Sequence, residues 1–155
     1  RWAAEHGIAQ SGTGRFAPDA PCTRAEMVTF LYRAAGSPKT ARTENGFADV
    51  SAGGALERAV CWAVERGVTN GTDAAHFSPD ETCTRAQAAA FLHRALGLPE
   101  GQGDAAFSDV RAGAWYAEAV RWAVGAGVTN GVGEGRFAPN EKCTRAQIVT
   151  LLYRT

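Results

Sequence analysis

The sequence predicts an all-α protein made of tandem helix-loop-helix repeats. Self-similarity at a fixed period indicates one supersecondary unit that is used several times, and here the period is about 60 residues. Within each unit, apolar residues recur at helical spacing in two stretches, and a short loop with turn-forming residues separates them. The period is marked by two series of equivalent residues, namely Trp2, Trp62 and Trp122, and Cys22, Cys83 and Cys143.

The period divides the chain into two full units and one partial unit. In chain order these are copy 1 (residues 1–36), a linker (37–46), copy 2 (47–97), a second linker (98–106) and copy 3 (107–155). Because Arg1 aligns with Arg121, we expect copy 1 to lack the first half of the unit. Units of this size bury their apolar faces against one another, so we expect one shared core.

The first helix of each full unit is predicted from an amphipathic stripe. In copy 2 the stripe consists of Leu56, Ala59, Val60, Ala63 and Val64, followed by Gly67. Copy 3 repeats this spacing from Tyr116 to Gly127. Since glycine adopts the positive φ that commonly ends a helix, we expect each helix to stop at its glycine.

The loop after this helix carries turn residues at equivalent positions. Asn70–Gly71 and Asn130–Gly131 are dipeptides suited to positive φ. They are followed by Phe77–Asp80 and Phe137–Asn140, in which a proline presets φ for a turn. We therefore expect a compact loop, not a strand, between the two helices.

The second helix of each unit begins with the pattern Thr-Arg-Ala-Glu/Gln, at residues 23–26, 84–87 and 144–147. This pattern fits a capping box, in which the threonine hydroxyl accepts an amide of the first turn and the Glu or Gln bonds back to the threonine amide. Gly36 and Gly97 stand where a glycine follows a helix end. The pattern predicts three equivalent helices.

Composition excludes two classes of partner. Sixteen Lys and Arg residues balance sixteen Asp and Glu residues, so electrostatic capture of nucleic acid or of an anionic membrane is not expected. The apolar runs are far shorter than the about 20 residues that a bilayer span needs. We expect no nucleic-acid partner and no membrane partner.

The ordered motifs resemble the S-layer homology domain. They are Phe-x-Asp-Val, an alanine-rich helix ending in Gly-Val-Thr-Asn-Gly, Phe-x-Pro, and Thr-Arg-Ala-Glu/Gln, at fixed spacing over nearly the whole chain. The resemblance implies a pseudo-threefold assembly around a central three-helix bundle, with ligand grooves between adjacent copies. It also implies non-covalent attachment of an exported bacterial protein to a secondary cell-wall polysaccharide at the cell surface, often one bearing pyruvylated N-acetylmannosamine.

Arginine occupies the first position of each predicted second helix, as Arg24, Arg85 and Arg145. The helix dipole disfavours a cation there. A bound acidic sugar would explain the placement, because a guanidinium and free helix amides together bind a carboxylate well. The resemblance implies the same role, since this motif contributes to ligand binding in the family. The alternative is a salt bridge to an acid nearby in sequence: Asp19, Asp80, Glu81 or Glu141.

The repeated tryptophans lie off the apolar stripe of their own helix, so Trp62 and Trp122 are expected to face away from the core of their own copy. Either ring could stack on a sugar, or it could pack against the neighbouring copy. Trp115 matches an aromatic position of the family, which the resemblance assigns to a groove. Because copy 2 has Ala55 at that position, its groove is expected to differ.

Two further pairs of repeated residues are candidates for sugar contacts. Asp49 and Asp109 lie in the Phe-x-Asp-Val motif, where an aspartate most often bonds backbone amides of a turn; the resemblance adds sugar-hydroxyl contacts. Gly71 and Gly131 would let a ligand approach the backbone, although positive φ alone explains them. Copy 1 has no Asn-Gly at residues 8–12, so we expect its groove to be altered.

No residue set predicts a cofactor, a metal site or catalysis. Cys22, Cys83 and Cys143 take positions that are aliphatic in the family, and with Cys61 they lack zinc-type spacing, so we interpret them as small buried side chains. The histidines occupy non-equivalent positions, and no nucleophile set recurs. A glycosidase needs two carboxylates with different roles, which repeated, equivalent aspartates do not suit.

These observations favour a non-catalytic carbohydrate-binding module. The alternative is a protein-interaction module, in which the apolar face left open by the incomplete copy 1 is covered by another chain. In this alternative a second copy of the chain can cover that face, so self-association through copy 1 is expected.

Overall fold

The computed structural model describes residues 2–9, 16–101 and 107–155, and this part of the chain consists of helices and loops. The helices are α1 (Trp2–Glu5), α2 (Arg24–Ala34), α3 (Ala55–Glu65), α4 (Arg85–Ala95), α5 (Ala117–Gly125) and α6 (Arg145–Tyr153). The described residues form isolated β-bridges but no strand. The predicted all-α class is confirmed.

The predicted capping boxes are present at α2, α4 and α6. At α2, the Thr23 hydroxyl accepts the amide of Glu26 at 3.2 Å, and the Thr23 amide donates to the Glu26 carboxylate at 3.0 Å. Gly67 and Gly127, which follow α3 and α5, have φ of 69° and 71°. These boundaries are local, because each is set by side-chain and backbone bonds within a few residues.

The helices pack so that each copy is completed by its neighbour. α3 packs on α2, α5 on α4, and α1 on α6, while α2 also contacts both α4 and α6. The first helix of a copy therefore lies against the second helix of the preceding copy, with copy 1 following copy 3. A shared core of buried apolar side chains results, in which Met27, Phe77 and Ile148 are among the largest members.

A closed cycle of backbone hydrogen bonds connects the three copies. The Cys22 amide donates to the carbonyl of Cys143 at 2.9 Å, the Cys143 amide to Cys83 at 2.9 Å, and the Cys83 amide to Cys22 at 2.8 Å. Each copy thus donates to one neighbour and accepts from the other. Such a cycle is consistent with the predicted pseudo-threefold arrangement. That arrangement and its central three-helix bundle stay predictions.

No helix within the described ranges is both long enough and apolar enough to cross a bilayer. Gly12, predicted to lie in the copy 1 loop, and residues 102–106, predicted to lie in the second linker, are outside the described residues.

Candidate functional site

The arginine at the start of α2 contacts the loop of the next copy. Arg24 Nε donates to the carbonyl of Phe77 at 2.9 Å, and the guanidinium lies 4.9 Å from the centroid of the Phe77 ring. Phe77 is 53 residues away in sequence and belongs to the Phe-x-Pro turn of copy 2. We call this contact junction 1/2.

The same contact recurs at the two other junctions. Arg85 Nε donates to the Phe137 carbonyl at 2.7 Å (junction 2/3), and Arg145 Nε donates to the Phe16 carbonyl at 2.7 Å (junction 3/1). Each guanidinium also lies over the ring of its phenylalanine, at 4.9 Å and 5.2 Å. All three arginines therefore connect consecutive copies.

The alternative of a salt bridge to an acid nearby in sequence is not what the structure shows. Among the described residues, Arg145 is the member of this set that forms an ion pair, and its partner is Glu26 of copy 1. Glu26 is also the capping residue of α2, so one carboxylate serves two elements. The physical reason is that each arginine side chain extends across the junction toward the loop of the neighbouring copy.

The three arginines differ in their exposure to solvent. Arg24 is 2% exposed and Arg145 is also buried, and Nη2 of each has no hydrogen-bond partner among the described residues. Burial lowers the pKa of Arg24, although Cys83 and Glu81 act in the opposite direction. Arg85 is only partly buried. Of the three predicted anion contacts, Arg85 is therefore the one with the most access to a ligand.

Both repeated aspartates bond the Phe-x-Pro turn of their own copy. Asp49 Oδ1 and Oδ2 accept the amides of Phe77 and Ser78 at 2.9 Å and 2.8 Å, and Asp109 accepts the equivalent amides of copy 3 at 2.8 Å each. Burial opposes ionisation of each aspartate, but these amides outweigh it and lower the pKa of Asp49 and of Asp109. The structure thus gives each carboxylate a backbone-bonding role, and both carboxylates are ionised at neutral pH.

The tryptophans of α3 and α5 lie in the interfaces between copies. Trp62 is 4% exposed and contacts Tyr32 of α2 with ring centroids 5.8 Å apart. Trp122 is 6% exposed and contacts His93 of α4 at 5.4 Å. Each ring packs against a helix of the preceding copy, as the inter-copy alternative requires. Neither ring has a face open to a sugar.

Trp115 has the opposite environment. It is 61% exposed, and its ring meets the ring of Tyr116 edge-on at 5.2 Å. It lines a groove of about 360 Å³ between α4 and α5, together with Arg94, Leu98 and Glu118. We call this the α4/α5 groove. Trp115 is the exposed aromatic ring among the predicted sugar-binding residues.

A second surface depression lies beside the predicted site residue Asp109. It has a volume of about 610 Å³, and Arg111, Tyr116 and Asn140 also line it. These three residues were not predicted as site residues. Tyr116 was assigned to the apolar stripe of its helix, and the other two lie in loops whose relative placement depends on tertiary contacts.

The two loop glycines lie against backbone atoms. A Cβ at Gly71 would meet the His76 carbonyl oxygen at 2.5 Å, and one at Gly131 would meet that of Arg136 at 2.5 Å. Their φ values are 87° and 80°. Both the conformation and the close contact require glycine here, so these positions have a structural reason that involves no ligand.

The cysteines are buried thiols. Burial raises the pKa of Cys22 and of Cys83 to about 12, and that of Cys143 to about 11. Neighbouring thiols contribute to the raised pKa of Cys22 and of Cys83. Cys61 is likewise buried with a raised pKa. Within the described part of the chain, no group of three or more His, Cys, Asp or Glu residues is arranged to hold a metal ion.

Comparison with known proteins identifies the family. A sequence profile described as "S-layer homology domain" matches residues 1–28, 46–89 and 106–149, which together exceed half of the chain. The chain is similar to the surface-layer 125 kDa protein of Lysinibacillus sphaericus, with 39% identity over 108 residues, covering 70% of this chain and 9% of that protein.

Two further relatives show the same pattern of coverage. The S-layer protein sap of Bacillus anthracis is 36% identical over 92 residues (59% of this chain, 11% of the relative), and an endoglucanase of Bacillus sp. (strain KSM-635) is 39% identical over 90 residues (58% and 9%). The chain thus spans about a tenth of the length of these relatives, and the alignments cover their S-layer homology part. The chain belongs to the S-layer homology domain family, and it is a module of the cell-wall anchoring type found at the bacterial cell surface.

Proposed function

We propose that this module binds a secondary cell-wall polysaccharide without catalysis, and that it thereby anchors an exported protein non-covalently to the bacterial cell wall. The observation that carries the proposal is the exposed ring of Trp115 in the α4/α5 groove. An aromatic ring offers a large contact area to the apolar face of a pyranose at low conformational cost. Its edge contact with Tyr116 supports the orientation of the ring.

Polar side chains around this ring suit the rest of a sugar polymer. Arg94 and Glu118 line the same groove, and the depression beside Asp109 adds Arg111 and Asn140. Arg111 is exposed and has no side-chain hydrogen bond or ion pair among the described residues, so its guanidinium is available to a carboxylate. The α4/α5 groove and the depression beside Asp109 thus supply a ring for stacking, polar side chains that can bond sugar hydroxyls, and a free cation.

The state of the repeated aspartates disfavours a catalytic role. Both oxygens of Asp49 and of Asp109 accept backbone amides, and their lowered pKa values keep them ionised. A general acid needs a raised pKa and a proton to donate. Asp49 and Asp109 therefore stabilise the Phe-x-Pro turns and do not serve as proton donors.

Co-sedimentation with purified cell-wall sacculi tests the proposal. We expect the chain to sediment with sacculi that retain their secondary polymer and not with sacculi stripped of it. Trp115→Ala should weaken binding by about tenfold, which corresponds to about 1.4 kcal/mol. Ala55→Trp is the matched variant, since it places a ring at the equivalent exposed position of copy 2, and it should bind at least as well as the parent.

Two results would contradict the proposal. One is equal binding to intact and stripped sacculi, and the other is unchanged binding by Trp115→Ala with a folded circular dichroism spectrum. Self-association through copy 1 stays a separate prediction. Light scattering of the chain at high concentration would test it, and a strict monomer would count against it.

A further inference from the structure

The chain contains three Asn-Gly dipeptides, at residues 45–46, 70–71 and 130–131. In such a dipeptide the backbone nitrogen of the glycine can attack Cγ of the asparagine, because glycine has no Cβ to block the approach. The new N–C bond closes a cyclic imide, the Cγ–Nδ2 bond breaks, and the side-chain nitrogen leaves as ammonia with the backbone proton. Solvent water then opens the imide to aspartate or isoaspartate. Since the dipeptides are identical, their surroundings decide which of them react.

The side chain of Asn45 is buried and fully bonded. It is 6% exposed. Its Oδ1 accepts the Phe47 amide at 2.7 Å, and its Nδ2 donates to Glu57 Oε1 at 2.9 Å and to the Val50 carbonyl at 3.3 Å. Turning this side chain toward the Gly46 nitrogen would break these bonds in a buried place, where each is costly to lose. We therefore expect Asn45 to react only when this region opens.

The side chains of Asn70 and Asn130 have the opposite surroundings. Both residues are exposed, and they occupy equivalent positions in the loops that follow α3 and α5. In the part of the chain that the structure describes, no hydrogen bond or ion pair engages either side-chain amide. At these two sites the attacked carbon is thus free to turn toward the glycine nitrogen, and water reaches it.

At both exposed sites a threonine holds the attacking nitrogen. The Gly71 amide donates to Thr69 Oγ1 at 3.1 Å, and the Gly131 amide donates to Thr129 Oγ1 at 3.2 Å. Both threonines are buried, so their hydroxyls have fixed positions. The glycine amide must leave this acceptor and lose its proton before it attacks the asparagine. The hydroxyl therefore slows the reaction by about the net strength of a single hydrogen bond, without preventing it.

We propose that Asn70 and Asn130 are sites of spontaneous deamidation in the folded module, whereas Asn45 is preserved. The hydroxyls of Thr69 and Thr129 set the rate at these two sites. The reaction needs water and no ligand, so it is independent of the proposed polysaccharide-binding function.

Conversion would change the loop in two ways. Each event adds a negative charge to a chain in which sixteen basic residues balance sixteen acidic ones. Isoaspartate also inserts a methylene into the main chain beside a glycine that is closely surrounded, since a Cβ at Gly71 would lie 2.5 Å from the His76 carbonyl oxygen. The lengthened backbone cannot keep this close approach unchanged.

Peptide mapping by mass spectrometry measures the reaction in the full chain. One sample is kept folded in mildly alkaline buffer and another is kept in urea, so each asparagine is compared with itself in the unfolded chain. Water enriched in the heavy oxygen isotope marks the conversions that precede digestion. We expect the ratio of folded to unfolded rates to be at least about tenfold lower at Asn45 than at Asn70 and Asn130, because Asn45 requires local unfolding.

Two results with the parent chain would overturn the proposal. One is an equal ratio at all three asparagines. The other is the absence of conversion at Asn70 and Asn130 in the folded chain over a period in which the unfolded chain converts completely.

Thr129→Val tests the role of the hydroxyl, since valine has nearly the same shape and lacks the acceptor oxygen. We expect Asn130 to convert at least about threefold faster in this variant, as the loss of a net hydrogen bond implies. Asn70 of the same molecule is the internal control and should keep the parent's rate.

Thr69→Val is the reciprocal variant and should accelerate Asn70 alone. An unchanged rate at the asparagine next to the substituted threonine would show that the hydroxyl does not set the rate. Equal acceleration at both asparagines would also count against that role, because it indicates general loosening of the fold.

Discussion

The centre of the molecule and its outer grooves have diverged to different extents. At the centre, each copy presents the same arginine, cysteine and threonine, and each arginine bonds the carbonyl of a phenylalanine in the next copy. In the grooves, the residues at equivalent positions differ. Copy 2 has Ala55 where copy 3 has Trp115, and Arg58 where copy 3 has Glu118. The copies thus repeat the residues that join them at the junctions and differ at these groove positions.

This difference has a packing origin. A closed cycle of three junctions leaves little freedom at any one of them, because a change of shape at one junction must be accommodated by the other two in a close-packed interior. An exposed groove position carries no such constraint, and most surface substitutions change stability by less than about 0.5 kcal/mol. We therefore expect stability to depend on the centre and ligand choice to depend on the grooves.

The largest effect is expected from Arg145→Ala at junction 3/1. The substitution removes a partly buried hydrogen bond to Phe16 and leaves Glu26 without its cation, so we expect a loss of about 3 kcal/mol in the free energy of unfolding. Urea denaturation would measure it. Arg111→Ala, an exposed arginine of copy 3, is the control and should be within about 0.5 kcal/mol of the parent.

Glu26→Gln refines the same test. Copies 2 and 3 have Gln87 and Gln147 at this position, and both complete the capping box. The variant should keep the cap and lose only the charge, at a cost of about 1 kcal/mol. Equal losses for Glu26→Gln and Arg145→Ala would mean that the ion pair, and not the bond to the neighbouring loop, dominates junction 3/1.

A smaller effect is expected at the loop glycines. Gly131→Ala places a Cβ 2.5 Å from the Arg136 carbonyl oxygen and 2.6 Å from Phe107 Cε1, whereas Gly127→Ala meets nothing within 4 Å. Both positions have positive φ, so both variants lose about 1 kcal/mol, and Gly131→Ala should lose at least about 1 kcal/mol more through overpacking. Thermal denaturation of the pair would show it. Identical melting temperatures would contradict the close approach of the Phe107 ring.

At neutral pH the smallest effect is that of the central thiols, because their contribution to stability changes only above pH 9.0. Burial favours the neutral form of the central thiols and raises the pKa of Cys83 from 9.0 to about 12. Because the folded-state pKa is raised, the stabilisation is complete below pH 9.0 and is lost as the pH rises toward about 12. The free energy of unfolding should fall by up to about 1.4 kcal/mol per pH unit for each such thiol. Cys83→Ala should show a shallower slope than the parent between pH 9 and pH 11, and parallel slopes would argue against a buried thiol.

Local features were predicted correctly because they are settled within a few residues. The capping boxes at Thr23, Thr84 and Thr144 follow from a four-residue pattern, and the glycines with positive φ follow α3 and α5 as expected. The helical stripe placed Trp62 and Trp122 off the apolar face of their own helix. It did not decide what they meet, since their partners lie on helices of another copy.

The candidate site was predicted only in part. Trp115 was singled out from its family position, and its exposure makes it available to a ligand. Arg33 and Arg58, which line the groove between α2 and α3, were not predicted as site residues, because they belong to different copies and no sequence motif joins them. An inspection of non-identical residues at equivalent positions would have drawn attention to Arg58 and Glu118.

The amino-acid sequence by itself determined the repeat, the helices with their caps, and the family. These properties depend on periodicity and on hydrogen bonds between close neighbours, which a linear pattern records. Only the tertiary structure decided that the repeated arginines connect consecutive copies, and that Trp62 is buried while Trp115 is exposed. The physical reason is that burial and partnership are set by segments tens of residues apart, as with Arg24 and a carbonyl 53 residues away.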